Sequence, residues 1–210
     1  MVAGGFNRQG TSVYTCYLYK TADNEWNNLP PMPISRACHT LVNMNGVIFV
    51  VGGLRDCINR AGKFTKHVIC LEPLSFRWKA VKPLPVLLFA HSSVVYNNTM
   101  YVFGGKLVDY FPSLKCLAYD PSTDHWSEKA DMPKACLHGG SVVLDKTVYV
   151  VGGQPESIAL AYTPDTDVWT ILCSPSHCHY AGPVVLSEES IFVLGGLQKE
   201  VGLSQKVDLM

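Results

Sequence analysis

No stretch of the 210 residues approaches 18 consecutive apolar positions, so no membrane-spanning helix is expected. The N-terminus lacks the basic start and long apolar run of a secretory leader. Charge of either sign is not in excess: 17 Lys and Arg balance 17 Asp and Glu. A broad electrostatic footprint for nucleic acid is therefore excluded. No glycine-rich loop runs into Lys-Ser or Lys-Thr, and no nucleophile elbow is present, so the chain shows no enzyme motif. Paired CxxC spacing is absent too, which leaves no zinc signature. With these absences, the sequence predicts no catalytic residue, no bound cofactor and no metal.

Apolar residues make up 48% of the chain and charged residues only 16%, with 17 glycines and 13 prolines. That composition suits a compact fold of many short strands and turns rather than a disordered tail. Eight cysteines are present. Cys16, Cys70 and Cys116 fall inside strand-like runs, which favours small buried thiols in a reducing compartment over a disulfide framework. A cytoplasmic location is the expectation, with cytoskeletal association as a variant of it.

The dominant signal is a repeat. Doublets begin at Gly4, Gly52, Gly104, Gly152 and Gly195, spaced by 48, 52, 48 and 43 residues. Trp26, Trp78, Trp126 and Trp169 each stand 26 residues before a doublet. A period of this size is that of a propeller blade. Before each of the last four doublets runs an apolar, β-branched and aromatic segment: Val47–Val51, Met100–Phe103, Val148–Val151 and Ile191–Leu194. Near-continuous apolarity predicts strands covered on both faces. Asn, Asp and Gly in the preceding turns tolerate left-handed backbone and pair each such strand with an inner one. A third strand ends at Tyr19, Leu71, Tyr119 or Tyr162, seven residues before a tryptophan that opens the outer strand. Each tryptophan is expected to pack between neighbouring blades. Gly52-Gly53, Gly104-Gly105, Gly152-Gly153 and Gly195-Gly196 are read as structural turns. The units fall at 1–32 (partial), 33–84, 85–132, 133–174 and 175–210 (partial), within a single domain over 1–210.

All variation in length falls between a doublet and the next tryptophan, where the gaps are 22, 26, 22 and 17 residues. A scaffold holds fixed spacing, and binding loops vary. The variable loops near 6–13, 54–66, 106–114 and 154–157, with the linkers 29–37, 82–89, 130–138 and 172–181, are predicted to emerge on one face and bind a protein or peptide. Arg36, Arg55 and Arg60 offer forked donors for carboxylates. Tyr110 and Phe111 are the aromatic anchors, and His177 and His179 complete the partner-binding candidates. Histidine and cysteine also gather before successive inner strands, at Cys38, His39, His91, Cys136, His138 and the stretch 173–179. They track the repeat, so structural positions explain them better than metal ligation.

These features resemble the kelch repeat across essentially the whole chain. The most specific elements are Tyr101-Val102-Phe103-Gly104-Gly105 with Tyr119-Asp120-Pro121 and Trp126, and Tyr149-Val150-Val151-Gly152-Gly153 with Tyr162 and Trp169. Trp26-Asn27-Asn28-Leu29-Pro30-Pro31-Met32-Pro33 is similar to the kelch portion of BTB-kelch proteins. The resemblance implies an all-β kelch-type propeller of four-stranded antiparallel blades, with about four blades' worth of sequence. It implies a protein-interaction module, serving as substrate recognition for a cullin-3 ubiquitin ligase adaptor in a longer parent. Cullin-3 itself would bind through BTB and BACK regions that these 210 residues do not contain. The alternative implied is a cytoskeletal, actin-associated scaffold. Family arginines often line the binding mouth before the inner strand. Only Arg36 keeps that position; Leu88, Cys136 and His179 stand at its counterparts, which weakens the case for an acidic ligand. The terminal half-units have two readings. They could share one blade and close a four-bladed ring, or the chain could be a piece of a larger propeller with an incomplete ring. The second is the favoured expectation.

Overall fold

The computed structural model describes residues 1–55, 63–108, 111–198 and 202–210, and among them every regular element is a strand. Five antiparallel sheets follow one another in chain order. Sheet 1 is Val2–Ala3, Cys16–Lys20 and Glu25–Leu29. Sheet 2 is Thr40–Met44, Val47–Val51, Val68–Leu71 and Trp78–Val81. Sheet 3 is Ser92–Tyr96, Thr99–Phe103, Cys116–Asp120 and His125–Glu128. Sheet 4 is Leu137–Leu144, Thr147–Gln154, Ile158–Thr163 and Val168–Ile171. Sheet 5 is Val184–Ser187, Ser190–Leu194 and Val207–Leu209.

The expectation of an incomplete ring built from about four blades is corrected in its count by this topology: there are five blades, three of four strands and two of three. The two terminal half-units do not share a blade. Val2–Ala3 pairs with Cys16–Lys20, and Val207–Leu209 pairs with Ser190–Leu194. The physical reason lies in short segments that the sequence pattern undercounts. Two residues before the first doublet suffice for a strand, and an alternating Val-Asp-Leu supplies the third strand of the last sheet.

The chain divides into two compact units, Met1–Phe89 and Ala90–Met210. In the first, Ala3, Cys16, Met32, Val50 and Ile69 form a buried cluster. In the second, Phe103, Cys116, Val148, Val150, Leu160 and Tyr162 belong to a larger one. Second strands are deeply buried, with Val50, Val102, Phe103 and Val150 fully inaccessible. Each such aliphatic side chain contributes about 1.5–3 kcal/mol of burial free energy.

The third-strand residue and the tryptophan seven positions on stand directly opposite each other: Tyr19 with Trp26, Leu71 with Trp78, Tyr119 with Trp126 and Tyr162 with Trp169. Where that residue is tyrosine, its hydroxyl holds the turn between them. Tyr119 donates to Asp124 at 2.8 Å and Tyr162 to Asp167 at 2.7 Å, and the two acids adopt positive φ. Trp78 and Trp169 reach back to the preceding linker, donating from the indole to the carbonyls of Pro30 and Ala130. Trp26 instead lies 59% exposed beside Tyr19.

Candidate functional site

The glycine doublets explain how neighbouring sheets are joined, and so which residues remain for recognition. The second glycine of a doublet donates its N–H to a carbonyl in the linker entering the next sheet. The pairs are Gly5 to Arg36 (2.9 Å), Gly53 to Leu88 (3.0 Å), Gly105 to Cys136 (2.8 Å) and Gly153 to His179 (3.3 Å). In the doublets at Gly4 and Gly104 the first glycine sits so near the same carbonyl that a side chain does not fit. A Cβ on Gly104, at φ +63°, would stand 2.5 Å from the Cys136 oxygen. Glycine is required there both for the left-handed backbone and for the close approach.

The four acceptor residues are Arg36 and its sequence counterparts. In three of them, Leu88 being the exception, the side chain has a second structural task, which is to satisfy the first carbonyl of its own doublet. The Arg36 guanidinium donates to Gly52 at 3.3 Å, the Cys136 thiol to Gly152 at 3.6 Å and the His179 ring to Gly195 at 2.8 Å. Arg36 is fully buried and also donates to the His67 carbonyl at 3.1 Å. Burial, with Arg55 nearby, lowers the Arg36 guanidinium to about 10, so it stays charged at neutral pH. Burial pushes the Cys136 thiol up to about 12, which keeps it protonated and inert as a nucleophile. Arg36 is thus a tether inside the scaffold in this structure rather than a donor presented at a mouth.

Two positions further on, Cys38, Ala90, His138 and Ala181 all adopt positive φ. In the second unit these residues form a chain of backbone bonds, His138 N–H to the Ala90 carbonyl (2.8 Å) and Ala181 N–H to that of His138 (3.0 Å). Of the His and Cys gathered before the inner strands, Cys38 and His138 occupy this repeated left-handed position, and alanine holds it at 90 and 181. Burial, with Lys106 nearby, lowers the His138 imidazole. His39 is lowered to about 4, first by burial and then by Arg36. The seven described cysteines are all free thiols.

The between-strand loops and the linkers meet at the same ends of their sheets. Met32 N–H donates to Tyr14 O (2.9 Å), Leu84 N–H to Lys66 O (2.9 Å) and Met132 N–H to Leu114 O (2.7 Å). Met32, Leu84 and Met132 plug the core beneath, at 3%, 0% and 1% exposure. The loops themselves turn apolar side chains outward. In the second unit Val108, Phe111 and Leu114 are exposed in one loop, with Phe111 at 68%. Leu197 and Leu203 are exposed in the loop of sheet 5, where Leu197–Gln198 and Gly202–Leu203 form a small ribbon. Phe6 and Tyr14 are exposed in the loop of sheet 1. Arg55 lies half-buried in a ribbon of Leu54–Arg55 with Lys63–Phe64. Arg60 and Tyr110 lie outside the described residues.

His177 and His179 come together with a residue that the sequence reading missed, Asp208. His177 Nδ1 is 3.0 Å from Asp208 Oδ1, and His179 Nε2 is 3.0 Å from Oδ2. Ser176 Oγ donates to Oδ1 at 2.7 Å and the His177 amide to Oδ2 at 2.9 Å. Burial alone would raise the Asp208 carboxyl, but the bonds from Ser176, His177 and His179 outweigh it and hold the carboxyl well below the usual carboxylate range. The only sequence signal was the acid in an otherwise apolar Val-Asp-Leu run.

A family model described as the KLHDC2/KLHL20/DRC7 Kelch-repeats domain matches residues 1–196. The chain is similar to Kelch-like protein 40 of Mus musculus, 35% identical over 115 residues, 54% of this chain and 18% of that protein. It is similar to Kelch-like protein 41b of Danio rerio, 30% identical over 123 residues, 58% of this chain and 20% of that protein. Beta-scruin of Limulus polyphemus is 27% identical over 147 residues, 65% of this chain and 16% of that protein. The matched part spans 20% or less of the length of these relatives.

Proposed function

The chain belongs to the kelch-repeat family, and from that premise we propose that its between-strand loops recognise a protein segment on behalf of a longer parent. Kelch-repeat propellers are non-catalytic protein-interaction modules, and this chain is one of them. The observation that carries the reading is a division of labour. The residues counterpart to Arg36 are spent joining sheets, whereas loops that vary in length present apolar side chains such as Phe111 and Leu203 to solvent. Exposed aromatic and aliphatic anchors are what an interface core uses.

In the parent, the recognised segment belongs to a substrate handed to a cullin-3 ubiquitin ligase. The similarity to Kelch-like proteins supports this role, with cullin-3 engaged by BTB and BACK regions outside these residues. The free thiols fit a reducing compartment and hence the cytoplasm. A cytoskeletal scaffold is the second reading; the similarity to Beta-scruin over 65% of the chain keeps relatives beyond the Kelch-like proteins in view.

Quantitative affinity capture tests the reading, with the parent carrying wild-type, Phe111→Ser or Leu203→Ser sequence. Leu74→Ser serves as the control, since Leu74 is 98% exposed in the turn between the third and fourth strands of sheet 2 rather than in a between-strand loop that varies in length. Partners should be lost with the loop changes and kept with the control, and their ubiquitination should fall when cullin-3 is depleted. Identical capture by all variants would refute loop recognition. Loop-dependent capture that is indifferent to cullin-3 and enriched in actin would favour the scaffold.

A further inference from the structure

We propose that His177, His179 and Asp208 form a binding site for a divalent transition-metal ion, zinc being the best match to two imidazoles and one carboxylate. The inference stands apart from the recognition role of the loops and rests on three features of the second unit.

The first feature is register. Asp208 stands opposite Val193, two residues before its doublet. At the same register, sheets 2, 3 and 4 place Ile69 opposite Val50, Leu117 opposite Val102 and Leu160 opposite Val150. Those three aliphatic residues are buried, and Asp208 is only 9% exposed. A carboxylate therefore occupies a core position where the repeat calls for Ile or Leu. A buried carboxylate needs compensating positive charge.

The second feature is the orientation of His179. This ring is fully buried, and its Nδ1 donates to the Gly195 carbonyl at 2.8 Å. The neutral tautomer so fixed has a lone pair on Nε2, aimed at Asp208 Oδ2 3.0 Å away. Two acceptors at that separation require a cation between them, either a proton or a metal. Anchoring one ring nitrogen on a backbone carbonyl so that the other faces the ion is the usual outer support of a metal-binding histidine.

The third feature is convergence. The three donor atoms all lie within 4.8 Å of one another. His177 Nδ1 lies 3.0 Å from Asp208 Oδ1 and His179 Nε2 3.0 Å from Oδ2, so both carboxylate oxygens would face the ion, at separations near the value of about 3.3 Å between ligands on a tetrahedral zinc with bonds of 2.0–2.1 Å. Ser176 Oγ and the His177 amide, both bonded to Asp208, hold the carboxylate in place. His177 keeps 36% of its side chain exposed, which gives an ion a way in and leaves a coordination position for water. Such an ion would pin the Val207–Leu209 strand to the 176–179 linker.

The test is calorimetric titration of zinc chloride into the chelator-treated chain, followed by thermal unfolding with and without zinc. One zinc per chain and a raised midpoint are expected. His177→Ala should weaken binding at least tenfold. This variant should fold, because His177 is partly exposed, and circular dichroism checks that it does. Asp208→Asn should weaken binding similarly, whereas Cys178→Ser and Cys173→Ser should leave it unchanged. Cobalt(II) should give a tetrahedral absorption spectrum without thiolate charge transfer. No saturable zinc binding would overturn the proposal and leave a proton as the shared cation. Binding that survives His177→Ala but is lost with Cys178→Ser or Cys173→Ser would overturn it as well.

Discussion

Replacing Gly104 by alanine tests whether the doublets join sheets through close backbone approach. Gly104 has φ +63°, and an added Cβ would meet the Cys136 carbonyl oxygen at 2.5 Å, well inside van der Waals contact. Forcing alanine into left-handed backbone costs about 1–2 kcal/mol. The displaced carbonyl is also the acceptor for Gly105 N–H at 2.8 Å. Losing that bond in a buried setting costs about 1–2 kcal/mol more. The total of about 2–4 kcal/mol should lower the urea midpoint, and the thermal midpoint by about 5–10 °C for a chain of this size. Gly46→Ala separates the two contributions, since Gly46 has φ +83° and nothing within 4 Å of its Cβ position. It should cost only the backbone strain, about 1–2 kcal/mol. Unfolding should be followed by tryptophan fluorescence and circular dichroism together, because the chain has two compact units. Equal losses for the two variants would refute the close-approach argument.

Arg36→Met should destabilise by about 1–3 kcal/mol in urea unfolding, because in a fully buried site it strips the Gly52 carbonyl of its side-chain donor and leaves the His67 carbonyl with only the Gly52 N–H. Acid should weaken the fold through His39, whose ring is lowered to about 4 from an ordinary 6.5. The fold prefers the neutral ring, so this contribution is fully present above pH 6.5 and is lost as pH falls towards 4. It amounts to about 3 kcal/mol, and His39→Gln should flatten the urea midpoint across that window. Tyr162→Phe removes the 2.7 Å bond to Asp167, which also accepts from the Ala130 amide at 2.9 Å. A loss of about 1–2 kcal/mol is expected in the same assay. Phe111→Ser should change stability by less than about 0.5 kcal/mol, since its side chain is largely exposed.

Most of the scaffold was legible in the sequence because its signals are periodic and local. Second strands are apolar on both faces, doublets follow them, and a tyrosine or leucine lies opposite each tryptophan. The blade count was not legible. Val2–Ala3 has two residues and Val207–Leu209 three, too few for a hydrophobic period to register. Arg36 read as a ligand donor because sequence shows charge but not burial. Only the hydrogen bonds to Gly52 and His67 reveal the guanidinium as an internal tether. His177 and His179 stood out in the chain, but their partner is about thirty positions away and joins them by sheet pairing. Spacing of that kind carries no motif.

Hydrogen exchange on the chain, free and with a captured partner bound, tests the central claim most directly. In the free chain the amides of Gly5, Gly53, Gly105 and Gly153 should exchange as slowly as strand amides. Partner binding should add protection in the between-strand loops 106–108, 111–114 and 202–206 while leaving the doublets unchanged. Rapid exchange at the doublets, or added protection confined to the outer-strand turns near Leu74 and Thr123, would contradict the account.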